Sequence, residues 1–258
     1  MPLRSIKSAK IKALVSGIYA TVGKYYKCFF WGVVTYLMPP KCLSCRELIW
    51  GEAGLCCICW KKCTFIRELC CIKCGRLSRY QGLICGFCIQ EPPDYECARS
   101  LIDFNFVSKG FIHDLKYRDR TDLIHFFAKL LASAHCDLVA DVDMVIPVPM
   151  HYFRRMLRSY NQAHILAFAL ANNIGKQFAP WILKKSRLTP TQTLMNKKKR
   201  KQNLKGSFNI LNVADIKGKK VLLIDDVMTT GSTVNICSKV LKNAGAVSVK
   251  VLTIASVR

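Results

Sequence analysis

The sequence is poor in negative charge. Sixteen Asp and Glu stand against 40 Lys and Arg in 258 residues, a formal net charge of +24. That imbalance does not determine a fold, but it favours polyanionic partners: nucleic acid, phosphorylated metabolites or an acidic membrane surface. Long apolar runs are missing as well. The longest uncharged run in the N-terminal segment, Cys28 to Pro40, has 13 residues, whereas a spanning helix needs about 20. No small-residue cleavage site follows it, so a cleaved secretory signal is not expected. The histidines (113, 125, 135, 151 and 164) show no paired spacing with a carboxylate and receive no role. Trp31, Trp50, Trp60 and Trp181 are scattered; core or interface packing is expected of them, not a platform for bases.

What is present begins with hydrophobic residues, 51% of the chain, enough for a sizeable core. Residues 1–40 are basic and apolar. They suit an amphipathic helix, either docked on the next domain or lying in a membrane interface with Lys and Arg on one face. The 15 cysteines, most of them between Cys42 and Cys97, form an odd set that fits no disulfide framework. C-x-x-C pairs without a secretory signal imply metal binding in a reducing compartment, hence a cytoplasmic protein. Peripheral contact with the inner membrane through residues 1–40 is the variant of that expectation.

Four C-x-x-C pairs fall in two sets, and the second repeats the first at an offset of 29 residues. Cys42, Cys45, Cys56 and Cys59 form one; Cys71, Cys74, Cys85 and Cys88 form the other. Each pair can bring two thiolates onto one tetrahedral metal at about 2.3 Å. Two closed four-thiolate zinc sites are expected, structural and not catalytic, because no coordination position stays open. The repeat favours sequential pairing over a cross-brace and leaves both open. Cys57, Cys63 and Cys70 are near enough to substitute. Gly75 and Gly86, each following a cysteine, suit tight turns. Cys28, Cys97, Cys136 and Cys237 are expected as small buried apolar residues.

After the two-proline stretch "EPPDYE" (91–96) the texture alternates. Strands are expected over 99–108, 143–149, 219–226 and 247–256, and helices over 110–117, 121–136, 161–173 and 232–245. Strands alternating with helices predict a parallel sheet covered on both faces, with ligands at the carboxyl ends of its strands. One such strand ends in "VLLIDDVMTTGST" (221–233). Asp225 and Asp226 would repel a phosphate, but they suit the vicinal hydroxyls of a ribose or a Mg²⁺ beside them. The hydroxyls and glycine that follow open a helix and suit an anion. Phosphate nest and diol-binding acids, one turn apart, describe a ribose 5-phosphate pocket.

"VLLIDDVMTTGST" resembles the PRPP-binding signature of type I phosphoribosyltransferases. More of the chain resembles one branch, the ComF (GntX-like) family: the cysteine repeat, "LKYRDR" (115–120), "IPVPMHYFRRMLRSYNQ" (146–162), "TQTLMNKKKRKQNLKGSF" (191–208) and the closing "LTIASVR". The resemblance spans roughly residues 38–258. It implies an α/β fold: a type I phosphoribosyltransferase-like parallel sheet covered by helices (93–258), preceded by a double zinc-ribbon or zinc-knuckle module (41–92) and the helical segment 1–40. It implies that Asp225 and Asp226 contact the ribose, as the candidate catalytic pair if PRPP is turned over. Val227, Thr229, Thr230, Gly231, Ser232 and Thr233 would complete the loop around the 5-phosphate. Arg154, Arg155 and Arg158 would face pyrophosphate. Gln192, Arg200 and Asn203 would lie in a mobile loop closing over PRPP. Where the family has Arg-Gly, this chain has Arg158-Ser159.

Three functions stay open. The first is a PRPP-binding protein in competence, handling single-stranded DNA beside other competence proteins. The second is an active phosphoribosyltransferase of the amidophosphoribosyltransferase type, taking Mg²⁺ with PRPP. The third is a PRPP sensor without catalysis. The basic run Lys197, Lys198, Lys199, Arg200 and Lys201 could clamp PRPP or track a nucleic-acid backbone.

Overall fold

A computed structural model describes residues 39–49, 54–66, 69–78, 81–117, 121–150, 160–185 and 206–257. Nearly all of the expected helical segment 1–40 lies outside them. The chain divides into two compact units, Met1–Cys56 and Cys57–Arg258. In the first, a turn at Cys42 is closed by the bridge between Lys41 and Leu48.

The second unit opens with two short helices, α1 (Cys57–Lys62) and α2 (Gly86–Gln90). Then follow β1 (Cys97–Asp103), α3 (Phe106–Tyr117), α4 (Thr121–Ala134), α5 (Cys136–Ala140), β2 (Met144–Pro147), α6 (Gln162–Ile174) and β3 (Gln177–Phe178). The chain continues through β4 (Leu183–Lys185), β5 (Phe208–Ile210), β6 (Lys220–Met228), α7 (Ser232–Asn243) and β7 (Ser248–Ser256). Five strands form one sheet in the order β1-β7-β6-β2-β3, and every pair is parallel. β4 and β5 form a separate antiparallel pair.

The central strands are apolar and largely β-branched because helices cover both faces. Val221 to Ile224 are fully buried, as is the whole of β7. α4 places Leu123, Ile124, Phe127 and Leu131 on one stripe. Small residues on α6 (Ala163, Ala167 and Ala171) let its backbone approach the sheet closely. The amino ends of β6 and β7 are tied by Asp141, whose carboxylate accepts from both Lys220 and the buried Lys250.

The alternation at 99–108 predicts one long strand, but β1 ends at Asp103. Asn105 and Ser108 form a reciprocal cap. The Ser108 N–H donates to Asn105 Oδ1 (3.0 Å), and the Asn105 N–H donates to Ser108 Oγ (2.6 Å). Capping α3 from both sides overrides strand propensity. β6 instead outruns its expected end at 226. β7 pairs with it as far as Met228, opposite Ser256, and so keeps the ladder going.

Candidate functional site

β2 connects through α6 to β3 at one edge of the sheet, whereas β6 connects through α7 to β7 on the other side. Connections leave β2 and β6 in opposite directions, so their carboxyl ends open a crevice at a topological switch point. β2 pairs with β6 only as far as Pro147, opposite Ile224. Beyond that register β6 overhangs, and the overhang carries Asp225 and Asp226, both half-buried. Their carboxylates are fixed by backbone donors: the Asp226 N–H reaches Asp225 Oδ1 (2.9 Å) and the Val227 N–H reaches Asp226 Oδ1 (2.7 Å).

The loop after β6 turns through Gly231, whose φ of 75° lies in the left-handed region. Gly231 is the N-cap of α7 and supplies no side chain to cap it. The first helical bond runs from the Asn235 N–H to Gly231 O (2.9 Å). Of the first-turn donors, the Ser232 N–H reaches Thr230 Oγ1 (3.4 Å), and the helix dipole favours an anion beside the others. Thr230 Oγ1 and Ser232 Oγ bond each other at 2.9 Å, which orders two of the hydroxyls. Asp225, Val227, Thr229, Gly231, Ser232 and Thr233 line one small concavity. Six of the residues expected around a ribose 5-phosphate thus line one concavity beside the switch point; Asp226 and Thr230 do not line it.

On the β2 side, both ends of the segment following Pro147 are anchored. The Val148 N–H donates to Ile224 O (2.8 Å). Asn161 donates to Val148 O (3.2 Å) and caps α6 through the Ala163 N–H. The buried Gln162 donates to Leu115 O, as does the Tyr160 hydroxyl. Arg154, Arg155 and Arg158 between those anchors lie outside the described residues. So do Gln192, Asn203 and the run Lys197 to Lys201 with Arg200.

The four sulfurs of Cys42, Cys45, Cys56 and Cys59 lie within 4.8 Å of one another, and so do those of Cys71, Cys74, Cys85 and Cys88. Cys57, Cys63 and Cys70 are in neither cluster. The two turns repeat bond for bond. The Cys56 N–H donates to Cys42 Sγ and the Cys85 N–H to Cys71 Sγ, each at 3.3 Å. Cys45 and Cys74 each approach the next cysteine sulfur, Cys56 and Cys85, at 3.7 Å. Burial opposes ionisation of Cys42, yet the N–H groups of Cys56, Ser44 and Cys45 outweigh it and hold the thiol at about 6. Cys71 is similarly held at about 7. Burial pushes Cys74 up to about 11 and drives Cys88 up as well. Four crowded thiols resist ionising together unless a cation joins them, and a tetrahedral sulfur set fits Zn²⁺. Both four-cysteine sites are compatible with zinc.

Of the two glycines expected in tight turns, Gly75 has φ 66° and Gly86 instead opens α2. Arg46 occupies the position in the first repeat that Gly75 holds in the second, with φ 67°. Cys237 is buried as expected, but Cys97 is only half-buried and Cys136 is exposed.

Sequence reasoning missed the residues that fasten the second ribbon to the loop after β6. Cys71, Cys74 and Cys88 share one core with Tyr95, Ala98, Val234 and Val249. Tyr95 is buried with its hydroxyl beside Gly231: a Cβ on that glycine would lie 3.6 Å from it. Asp94 and Asn235 bond each other reciprocally. No local pattern announces partners 141 residues apart.

The phosphoribosyl transferase domain family matches residues 161–258, and the double zinc ribbon domain family matches residues 33–89. The DNA utilization protein YhgH of Shigella flexneri is 30% identical over 220 residues, covering 83% of this chain and 96% of that protein. Competence protein F of Haemophilus influenzae is 30% identical over 224 residues, with the same coverage. The chain belongs to the ComF family. It carries that family's pairing of a phosphoribosyltransferase-like parallel sheet with a double zinc ribbon. Among solved structures, glutamine PRPP amidotransferase from B. subtilis aligns at 21% identity over 55% of this chain and 30% of its own, with a TM-score of 0.39. No helix among the described residues is long and apolar enough to cross a membrane.

Proposed function

We propose that this ComF-family protein binds PRPP, or a related phosphoribosyl ligand, in the crevice between β2 and β6. Asp225 and Asp226 take the ribose diol, with Mg²⁺ beside it. Thr229 to Thr233 take the 5-phosphate, and Arg154, Arg155, Arg158 and Arg200 take the pyrophosphate. The observation that carries this reading is the α7 start: a helix whose N-cap is a left-handed glycine with no side chain to offer, directly after two backbone-fixed carboxylates. The names of the relatives, "DNA utilization" and "Competence", extend the proposal to the handling of single-stranded DNA during uptake. A basic chain of +24 suits that partner.

Calorimetric titration of the zinc-loaded chain with PRPP and Mg²⁺ tests the binding. Saturable one-to-one binding is expected, and none would overturn the site. Pyrophosphate release, followed in the same samples with and without single-stranded DNA, separates a binder from a transferase.

A further inference from the structure

Between the second ribbon and β1 the chain carries Tyr95, which is only 4% exposed. Its hydroxyl lies beside the start of α7: a Cβ on Gly231 would stand 3.6 Å from it. Among the described residues, none hydrogen-bonds that hydroxyl. A buried hydroxyl without a partner is destabilising, so packing alone does not account for a tyrosine here where a phenylalanine would fill the same space. Tyr95 lines a cavity of about 200 Å³ between the second ribbon and α7, together with Arg76, Thr230, Gly231 and Ser232. The Arg76 guanidinium is held over the Phe87 ring, 5.0 Å from its centre.

This cavity and the concavity at the end of β6 meet at Gly231 and Ser232, which line both. The concavity encloses about 20 Å³, room for about one water. A phosphoryl group with three terminal oxygens exceeds that space. Thr230 does not line the concavity but lines the larger cavity, where its Oγ1 bonds Ser232 Oγ at 2.9 Å. A phosphate resting on these hydroxyls therefore extends to the ribbon side of the loop. Glu91 also lines the cavity; it is exposed, where water screens its charge.

We propose that the second ribbon completes the 5-phosphate site, with the Tyr95 hydroxyl and the Arg76 guanidinium donating to the phosphoryl oxygens from the ribbon side. A phenol is a neutral donor that a phosphate oxygen satisfies. A guanidinium fork matches two such oxygens at once, and the bonds are charge-assisted. An apolar group in the cavity would leave both donors unpaired, and a cation would meet the charge of Arg76 and the positive end of α7. The inference rests on the PRPP reading above. It adds that the ribbon side takes part in binding the ligand, through two residues outside the loop after β6.

The test is calorimetric titration of the full zinc-loaded chain with PRPP and, separately, with pyrophosphate, each with Mg²⁺. Tyr95→Phe and Arg76→Ala are each expected to weaken PRPP about tenfold, Arg76→Lys by about threefold, and pyrophosphate by no more than about twofold. Tyr95→Phe keeps the ring and removes only the unpartnered hydroxyl, so its Tm should equal or exceed that of the wild type. A fall in Tm would show that the hydroxyl is bonded within the protein and overturn the proposal. A Tyr95→Phe protein that binds PRPP as tightly as the wild type shows that the hydroxyl meets water only; it overturns the proposal and leaves the crevice reading standing. Equal weakening of PRPP and pyrophosphate would place the effect on the whole crevice and overturn the 5-phosphate contact. A wild type that does not bind PRPP overturns this proposal and the crevice reading together.

Discussion

Asp94 and Asn235 are hydrogen-bonded to each other twice: the Asp94 N–H donates to Asn235 Oδ1 (2.6 Å), and Asn235 Nδ2 donates to Asp94 Oδ2 (2.9 Å). The pair joins the segment after the second ribbon to the first turn of α7, one helical turn from Gly231. Asn235→Ala should cost about 1–2 kcal/mol, since it leaves a half-buried carboxylate short of a donor. It should also weaken PRPP several-fold by loosening the loop. Denaturation and calorimetry on Asn235→Ala, Asp94→Ala and the double variant form a thermodynamic cycle. Additive effects would show that the pair does not act as one unit.

Asp225→Asn with Asp226→Asn should abolish PRPP binding and spare the fold. Asparagine retains the Oδ1 acceptor that each following N–H uses, while the charge that attracts Mg²⁺ and the diol hydroxyls is removed. Calorimetry gives the affinity and circular dichroism the fold. Unchanged affinity refutes the ribose assignment.

Metal analysis of the purified chain should return two zinc ions per molecule. Cys71→Ser should lose one of them and lower Tm, because Cys71 is fully buried in the core that also holds Tyr95 and Val249. It should weaken PRPP as well, through Tyr95 and the phosphate loop. A chain free of zinc with unaltered melting would remove the metal from the fold.

Gly75→Ala should cost on the order of 3 kcal/mol, as a strained left-handed residue that also clashes. The new Cβ would meet Ala98 O at 2.3 Å, and φ is 66°. Arg46→Gly at the matching position should change stability by less than about 1 kcal/mol, because relief of the left-handed strain and the added chain entropy oppose each other. Equal losses for the two substitutions would show that Ala98 does not press on the second ribbon.

His135 stands at the N-cap position of α5 without a side-chain capping bond, and its buried Nε2 has no hydrogen-bond partner among the described residues. Burial, then the charge of Arg99, lowers its pKa from 6.5 to about 4. The unfolded chain takes up this proton near 6.5 and the folded chain resists it. Stability is therefore full above 6.5 and falls as pH drops from 6.5 toward 4. The loss should be about 2 kcal/mol, allowing for the partly exposed ring. Urea denaturation at pH 7 and pH 4.5 should show that loss in the wild type and less of it in His135→Gln. Identical losses would remove His135 as the cause.

Much of the α/β order was legible because it is written in local periodicity. β2, β7, α4 and α6 fall close to the expected spans, since apolar spacing and the Asn161 cap act within a few residues. The end of β1 was missed because a side-chain cap at Asn105 and Ser108 outweighed alternation. The candidate loop at 225–233 was legible as a chemical pattern, acids then hydroxyls then glycine. The pairing of Asp94 with Asn235 was not, because the two residues lie 141 positions apart.

The sequence by itself determined the two four-cysteine sets and the acid-then-hydroxyl loop at 225–233, for both rest on residue types at short, fixed spacing. Two thiolates in a C-x-x-C turn and two acids beside a glycine-hydroxyl loop need no distant partner to be recognised. Only the tertiary structure decided how those parts serve one another. The strand order 1-7-6-2-3 made the crevice, and one shared core joined Cys71 of the second ribbon to Tyr95 and to Val249 of β7. Such relationships are set by burial and hydrogen bonding between segments far apart in the chain, where spacing along the sequence carries no information about distance in space.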